Sequence, residues 1–163
     1  MNIIQDVIDL EIFNEDGKLV TKMSTVKEVV VRWIANTDGS YLAITDAMVN
    51  FKIIEQMGEV EENNLSDFEK RLSNVKNSKT IVFNKNSKNK IFKLVGRGIT
   101  YSAATAEVSH DFELIMPEVE LVNDYNFDLE NGEVHHSSFV FKINPYNSEG
   151  DLFKVVLHER DKK

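Results

Sequence analysis

The sequence predicts a mainly β protein: a β-sandwich or small barrel carrying one packed α-helix. Three observations carry this expectation. Apolar residues recur with period two along most of the chain, beginning with Ile8, Leu10 and Ile12 against Asp9 and Glu11, the signature of a strand buried on one face. Turn-forming groups such as Asn14-Glu15-Asp16-Gly17 and Thr37-Asp38-Gly39-Ser40 break that alternation at short intervals. Only one segment combines helical spacing with a cap, so the pattern is not that of an alternating α/β protein.

Taken in order, the first strand ends at the Asn14–Gly17 turn, where glycine supplies the positive φ such a turn needs, and the chain returns through Lys18 to Met23. Glu28 to Ile34 is dense in β-branched residues and holds the single tryptophan, Trp33; Tyr41 to Thr45 is its partner across the Thr37–Ser40 turn. Val49, Phe51 and Ile53 alternate with Asn50 and Lys52, which predicts a further strand ending by Gly58. The helix is expected at about 65–74, with Leu65, Phe68 and Leu72 docking it on the sheet and Ser66 with Glu69 as its capping box. Ile81 to Phe83 and Ile91 to Val95 flank the polar run Asn84 to Asn89, predicting a hairpin arm near 79–95. Gly96-Arg97-Gly98 suggests a sharp bend. Ile99 to Met116 then reads as one or two strands interrupted near Ala103-Ala104, and Pro117 should end the ladder or sit at its edge. Val119 to Val122, a turn at Glu130-Asn131-Gly132, Val134 to Ile143 and Leu152 to His158 complete a single domain over 1–163.

The composition is globular: 163 residues, 42% hydrophobic and 28% charged, enough chain to bury roughly two-thirds of its unfolded surface without a metal or cross-link. Cysteine is absent, which excludes disulfides, thiolate metal sites and thiol nucleophiles. The opening Met1 to Asp6 has no basic n-region, and no stretch approaches the ~18 apolar residues of a membrane helix, so a soluble chain made without a classical signal is expected. The consecutive Ser109-His110-Asp111 has the letters of a triad, but strict alternation on a strand would turn these side chains to opposite faces. His135-His136 fails as a chelating pair for the same reason, and His158 has no partner spacing. The acidic runs Glu59-Val60-Glu61-Glu62 and Glu118-Val119-Glu120 lack the glycine and ligand spacing of a calcium loop. Gly96-Arg97-Gly98 lacks the further glycine and the helix start of a phosphate cradle. No catalytic residue, metal ligand or cofactor is therefore assigned.

Charge is unevenly distributed. Lys76 to Arg97 carries seven basic residues and no acid, leaving 12 basic and 27 acidic residues elsewhere, so a +7 segment stands against a −15 remainder in a chain of net charge −8. One reading is a solvated lysine-rich hairpin. Another is a head-to-tail contact in which Lys79, Lys85, Lys88, Lys90 and Lys93 meet an acidic surface on an identical neighbour, the heterologous geometry that builds rings and filaments. A nucleic-acid patch is a third, opposed by the acidic total.

The order of elements resembles the tail tube proteins of long-tailed bacteriophages and the related tubes of contractile injection systems. The residues that carry the resemblance are Phe13-Asn14-Glu15-Asp16-Gly17-Lys18 early on, then Phe112 to Val119, Glu130-Asn131-Gly132-Glu133, Ser138 to Pro145 and Gly150 to Val155. The likeness spans nearly the whole chain as an element order with loose patterns, in a family with no catalytic signature. It implies a structural virion protein and not an enzyme, self-assembling into stacked hexameric rings around a continuous β-barrel, built in the host cytoplasm and resident in the virion tail. Implied partners are further copies, with tail sheath, baseplate and tail terminator proteins. DNA would pass through as cargo that is not bound, in keeping with an acidic wall that repels phosphate. The alternative from another class is a β-sandwich binding module of a phage baseplate, recognising carbohydrate or a receptor. Such modules display several exposed aromatic residues, whereas this chain has one Trp and four Tyr.

Overall fold

The computed structural model describes residues 2–4, 9–24, 29–37, 39–46, 50–63, 78–84, 90–102, 104–128 and 136–161. Its elements in chain order are β1 (Asn2–Ile4), β2 (Asp9–Phe13), β3 (Leu19–Ser24), β4 (Val29–Asn36), β5 (Gly39–Asp46), α1 (Phe51–Met57), β6 (Glu59–Asn63), β7 (Ser78–Val82), β8 (Lys90–Ser102), β9 (Val108–Asp128), β10 (His136–Ile143) and β11 (Lys154–Glu159). The protein is mainly β, with every strand pair antiparallel and one short helix among the described residues.

β8 and β9 are the spine. They are joined where the sequence expects an interruption: Ser102 N donates to Glu107 O (2.8 Å), and Ala106, at φ 56°, donates to Ser102 O (2.8 Å). β2 lies along β8 at residues 93–97 and β1 continues on the same side at 100–102. On the other side of the spine, β10 pairs with residues 119–128 of β9, and β11 with residues 110–115. β3 extends β2, while β5 and then β4 extend β10, giving the order β3-β2-β8-β9-β10-β5-β4.

Pro117 sits at the changeover. It does not end β9 but falls between the β11 ladder, which stops at Ile115, and the β10 ladder, which starts at Val119. On the β8 side it lies in a bulge where Pro117 and Glu118 oppose the single Lys93. A proline has no N–H to lose at such a gap, so the ladder tolerates it there. Val119 to Val122, expected as a separate strand, is therefore part of the same continuous β9.

The alternation predicted from sequence builds one core. Leu10, Ile12, Leu94, Met116, Val119, Leu121, Phe139, Phe141, Leu42 and Ile44 all face it, and Phe92 meets Phe141 edge to face at 6.1 Å between ring centres. Burying one such side chain contributes about 1.5–3 kcal/mol. The helix described on this face is α1. Of the segment expected as a strand, Asn50 caps and Phe51 to Ile53 open this helix instead, and Val49 lies outside the described residues. The Asn50 side chain accepts from Lys52 N (3.1 Å) and Ile53 N (3.3 Å), capping the first turn, and Ile53, Ile54 and Met57 are buried at helical spacing. A short apolar run supports either period, and the cap decides it. The expected helix at 65–74, with Leu65, Phe68 and Leu72, lies outside the described residues, as does the Glu130–Gly132 turn.

Two further expectations are corrected. β7 pairs with β6, Val60 opposite Ile81, and not with β8, so the two strands read as one hairpin belong to different sheets. β8 instead finds β2 and β9, whose apolar faces it completes. Gly96-Arg97-Gly98 is not a bend but the middle of β8, with Gly96 opposite both Leu10 and Leu114.

Candidate assembly surface

Beyond Pro117 the architecture thins. β1, β8, β9 and β11 form a four-stranded blade whose two lateral strands, β1 and β11, each have one neighbour among the described residues. The face continuous with the core carries Phe112, Leu114, Val155 and Leu157; the last two, opposite Leu114 and Phe112 in register, are 42% and 49% exposed. Exposed apolar residues on an unpaired strand are a ready template for another chain. β4 forms the edge of the packed half and exposes Val30 and Trp33, although the Trp33 ring is engaged edge to face by Phe153 at 5.2 Å.

The opposite face of the blade carries its charged residues, interleaved with Val95, Ile99, Ile115 and Val156. Arg97, on β8, donates from Nη1 to Glu11 of β2 and from Nε to Glu113 of β9 (3.2 Å), and Asp9 stands directly across the ladder from it. Near the end of the blade, Arg160 donates from Nε (3.1 Å) and Nη2 (2.7 Å) to the Asp111 carboxylate. The hydrogen bonds from this guanidinium hold the Asp111 carboxyl below its ordinary range. Lys154 lies over the Tyr146 ring at 5.6 Å.

The Ser109-His110-Asp111 motif departs from simple alternation. Thr100 pairs with His110 and Tyr101 with Val108, so Ser109 is the extra residue of a bulge. Ser109 Oγ thereby comes within 3.0 Å of His110 Nδ1 and 2.9 Å of the buried Thr100 hydroxyl. Asp111 is turned to Arg160 and completes no relay with them. The Glu159 carboxylate lies 4.0 Å from His110 Nε2. Strict period two fails where a residue is inserted, and no local residue pattern announced that insertion. Among the described residues, no group of three or more His, Asp or Glu side chains could hold a metal ion, and no helix is long and apolar enough to cross a membrane.

Of the lysines expected at an inter-subunit contact, Lys85 and Lys88 lie outside the described residues. Lys79 stands at the register position opposite Glu62 in the β6–β7 ladder. Lys90 is exposed and donates from Nζ to Gly58 O at 3.2 Å. Lys93 is exposed at the rim of a cleft of about 580 Å³ with Phe13, Asn14, Pro117 and Tyr146. The structure thus divides the lysines between two sheets.

The Asn14–Gly17 turn lines that cleft, and the turn that follows the cleft residue Tyr146 is built alike. Asn14 Oδ1 accepts from Asp16 N (3.0 Å) and Lys18 N (2.9 Å); Asn147 Oδ1 accepts from Glu149 N (3.1 Å) and Asp151 N (3.0 Å). Each closes through a glycine of positive φ, Gly17 at 78° and Gly150 at 86°. The shared sequence pattern, asparagine, any residue, an acid and then glycine, is readable at 14–17 and again at 147–150. No family model matches the chain, and no curated protein matches it in sequence.

Proposed function

We propose that this protein is a structural subunit of a phage-type tail tube, assembling edge to edge into hexameric rings that stack around a DNA conduit. The observation that carries the reading is the direction of the blade's edges. β1 runs antiparallel to β8, β8 to β9 and β9 to β11, so β1 and β11 run opposite to one another. Copies related by rotation about an axis along the strands then meet β11 to β1 in antiparallel register at every seam, and closure removes both free edges. Val155 and Leu157, half-exposed in the single chain, would be covered at the seam.

The bulky side of the domain limits which way the blade faces. α1, β5 and β4 all lie on the core-bearing face, too large to fit inside a narrow ring. The charged face of Arg97, Glu113 and Asp111 would therefore line the bore. Sheath, baseplate and terminator proteins would meet the outside and the ends. A carbohydrate platform is less well supported, since the single tryptophan already spends its ring edge to face with Phe153.

Negative-stain microscopy and sedimentation of concentrated protein test the reading. Six-fold rings or tubes are expected, and Leu157→Glu should abolish them while leaving the fold intact. A strictly monomeric protein, with and without a tail initiation complex, would overturn it.

A further inference from the structure

The charged face of the blade has an unexpected composition for a wall that must not hold DNA: it contains arginine, the residue best suited to grip phosphate. The geometry points to a guard. We infer that Glu11 and Glu113 are there to hold Arg97 away from phosphate, so that the face meets the polyanion without binding it. The inference rests on the tube reading only for naming DNA as what passes; the guard itself is a property of the single chain.

The argument starts from register. Arg97 is the residue of the middle strand that faces carboxylates on both sides, Glu113 directly opposite on β9 and Asp9 directly opposite on β2, with Glu11 one step along the same face of β2. Its side chain is 52% exposed, while those of Glu11 and Glu113 are 17% and 29% exposed beside it. Arg97, with Lys22 across the ladder from Glu11, therefore shares this face with three carboxylates, and a phosphate reaching Arg97 would have to displace bonded anions and approach a cluster that is still net negative.

Two other cations on this side of the blade are engaged, while Lys22, across the ladder from Glu11, and Lys93, across from Phe13, are exposed. Arg160 is committed to Asp111 through two donors, and Lys154 rests over Tyr146. The face thus carries both signs of charge and is not uniformly acidic. An isolated surface ion pair contributes little to stability, and a network of several charges contributes more, so the arrangement around Arg97 fastens three strands as well as setting the local potential.

The test removes the guard. Glu11→Gln with Glu113→Gln frees Arg97, and binding of a labelled duplex of about 20 base pairs at about 20 mM salt should tighten at least about fivefold over the parent, with the gain lost at about 200 mM. A control pair, Glu15→Gln with Glu149→Gln on the exposed turns, changes net charge equally and should give no such gain. Adding Arg97→Gln to the first pair should abolish the gain. No gain in the guard variant, an equal gain in the control, or a gain that survives Arg97→Gln would each overturn the inference. If the double variant fails to fold by circular dichroism, Glu113→Gln alone carries the test. Microscopy of the same proteins keeps the two ideas apart: binding without rings would sink the tube reading and leave the guard, and rings without a gain would do the reverse.

Discussion

The two halves of this protein are held by different forces. In the packed half, Phe139 and Phe141 are 0% and 1% exposed, and the strands wrap a core closed by α1. In the blade, the ladder of β8 and β9 carries β1 and β11, each with one neighbour among the described residues, and Val155 and Leu157 remain 42% and 49% exposed. The first half buries its large side chains within the chain. The second leaves apolar side chains partly in water.

This contrast can be broken in order of effect. Phe141→Ala should cost about 3–5 kcal/mol, because the ring is fully buried and packed against Phe92, with chemical denaturation as the measurement. A much smaller loss would mean that the core relaxes and the halves differ less than described. Gly58→Ala should come next, at about 1–3 kcal/mol. Its new Cβ would lie 2.7 Å from Ile81 Cγ2 and 2.8 Å from the Val82 carbonyl, and a backbone atom cannot yield cheaply.

Asn50→Ala should cost about 1 kcal/mol by removing the α1 cap, and Asn50→Asp should retain most of it. In the blade, Leu157→Ser should change monomer stability by less than about 0.5 kcal/mol, since the side chain is half in water already, yet block assembly. Equal losses for Leu157 and Phe141 would erase the contrast.

The smallest effect belongs to the Asp111–Arg160 tie. The folded carboxyl titrates below its ordinary value, so its contribution is present above the unfolded carboxylate range and is lost as pH falls through the depressed folded value. The pair lies at the surface with about half of each side chain exposed, so this should appear as local loosening and not as unfolding. Amide exchange in β11, corrected for the intrinsic pH dependence, should quicken in strong acid, and Asp111→Asn should reproduce the loosening at neutral pH.

How much of this is legible in sequence depends on the range of the interaction responsible. Period-two patterning foretold most strands because alternation is local, with β1 and the acidic β6 as exceptions, and it put Leu10 with Ile12, and Phe139 with Phe141 and Ile143, on the buried faces of their strands. The Asn14–Gly17 turn and the break before Val108 were readable for the same reason. The Val49–Ile53 segment misled because three alternating residues fit both periods, and the Asn50 cap was the overlooked signal.

What tertiary structure alone decided is which strand meets which, and what each charge faces. The β7–β8 hairpin was a natural reading of neighbours in sequence, but strand partners are chosen by the apolar faces they complete. β8 completes those of β2 and β9, leaving β7 to β6. The charge count gave +7 against −15 and nothing of its geometry. Glu11, Arg97 and Glu113 are separated by 86 and 16 residues, and only the register of three strands brings them together. Composition and periodicity determined that the chain would be a β protein with an unbalanced surface. The pairing of distant backbone segments, whose cost in chain entropy is repaid only when the whole sheet closes, determined where that surface lies.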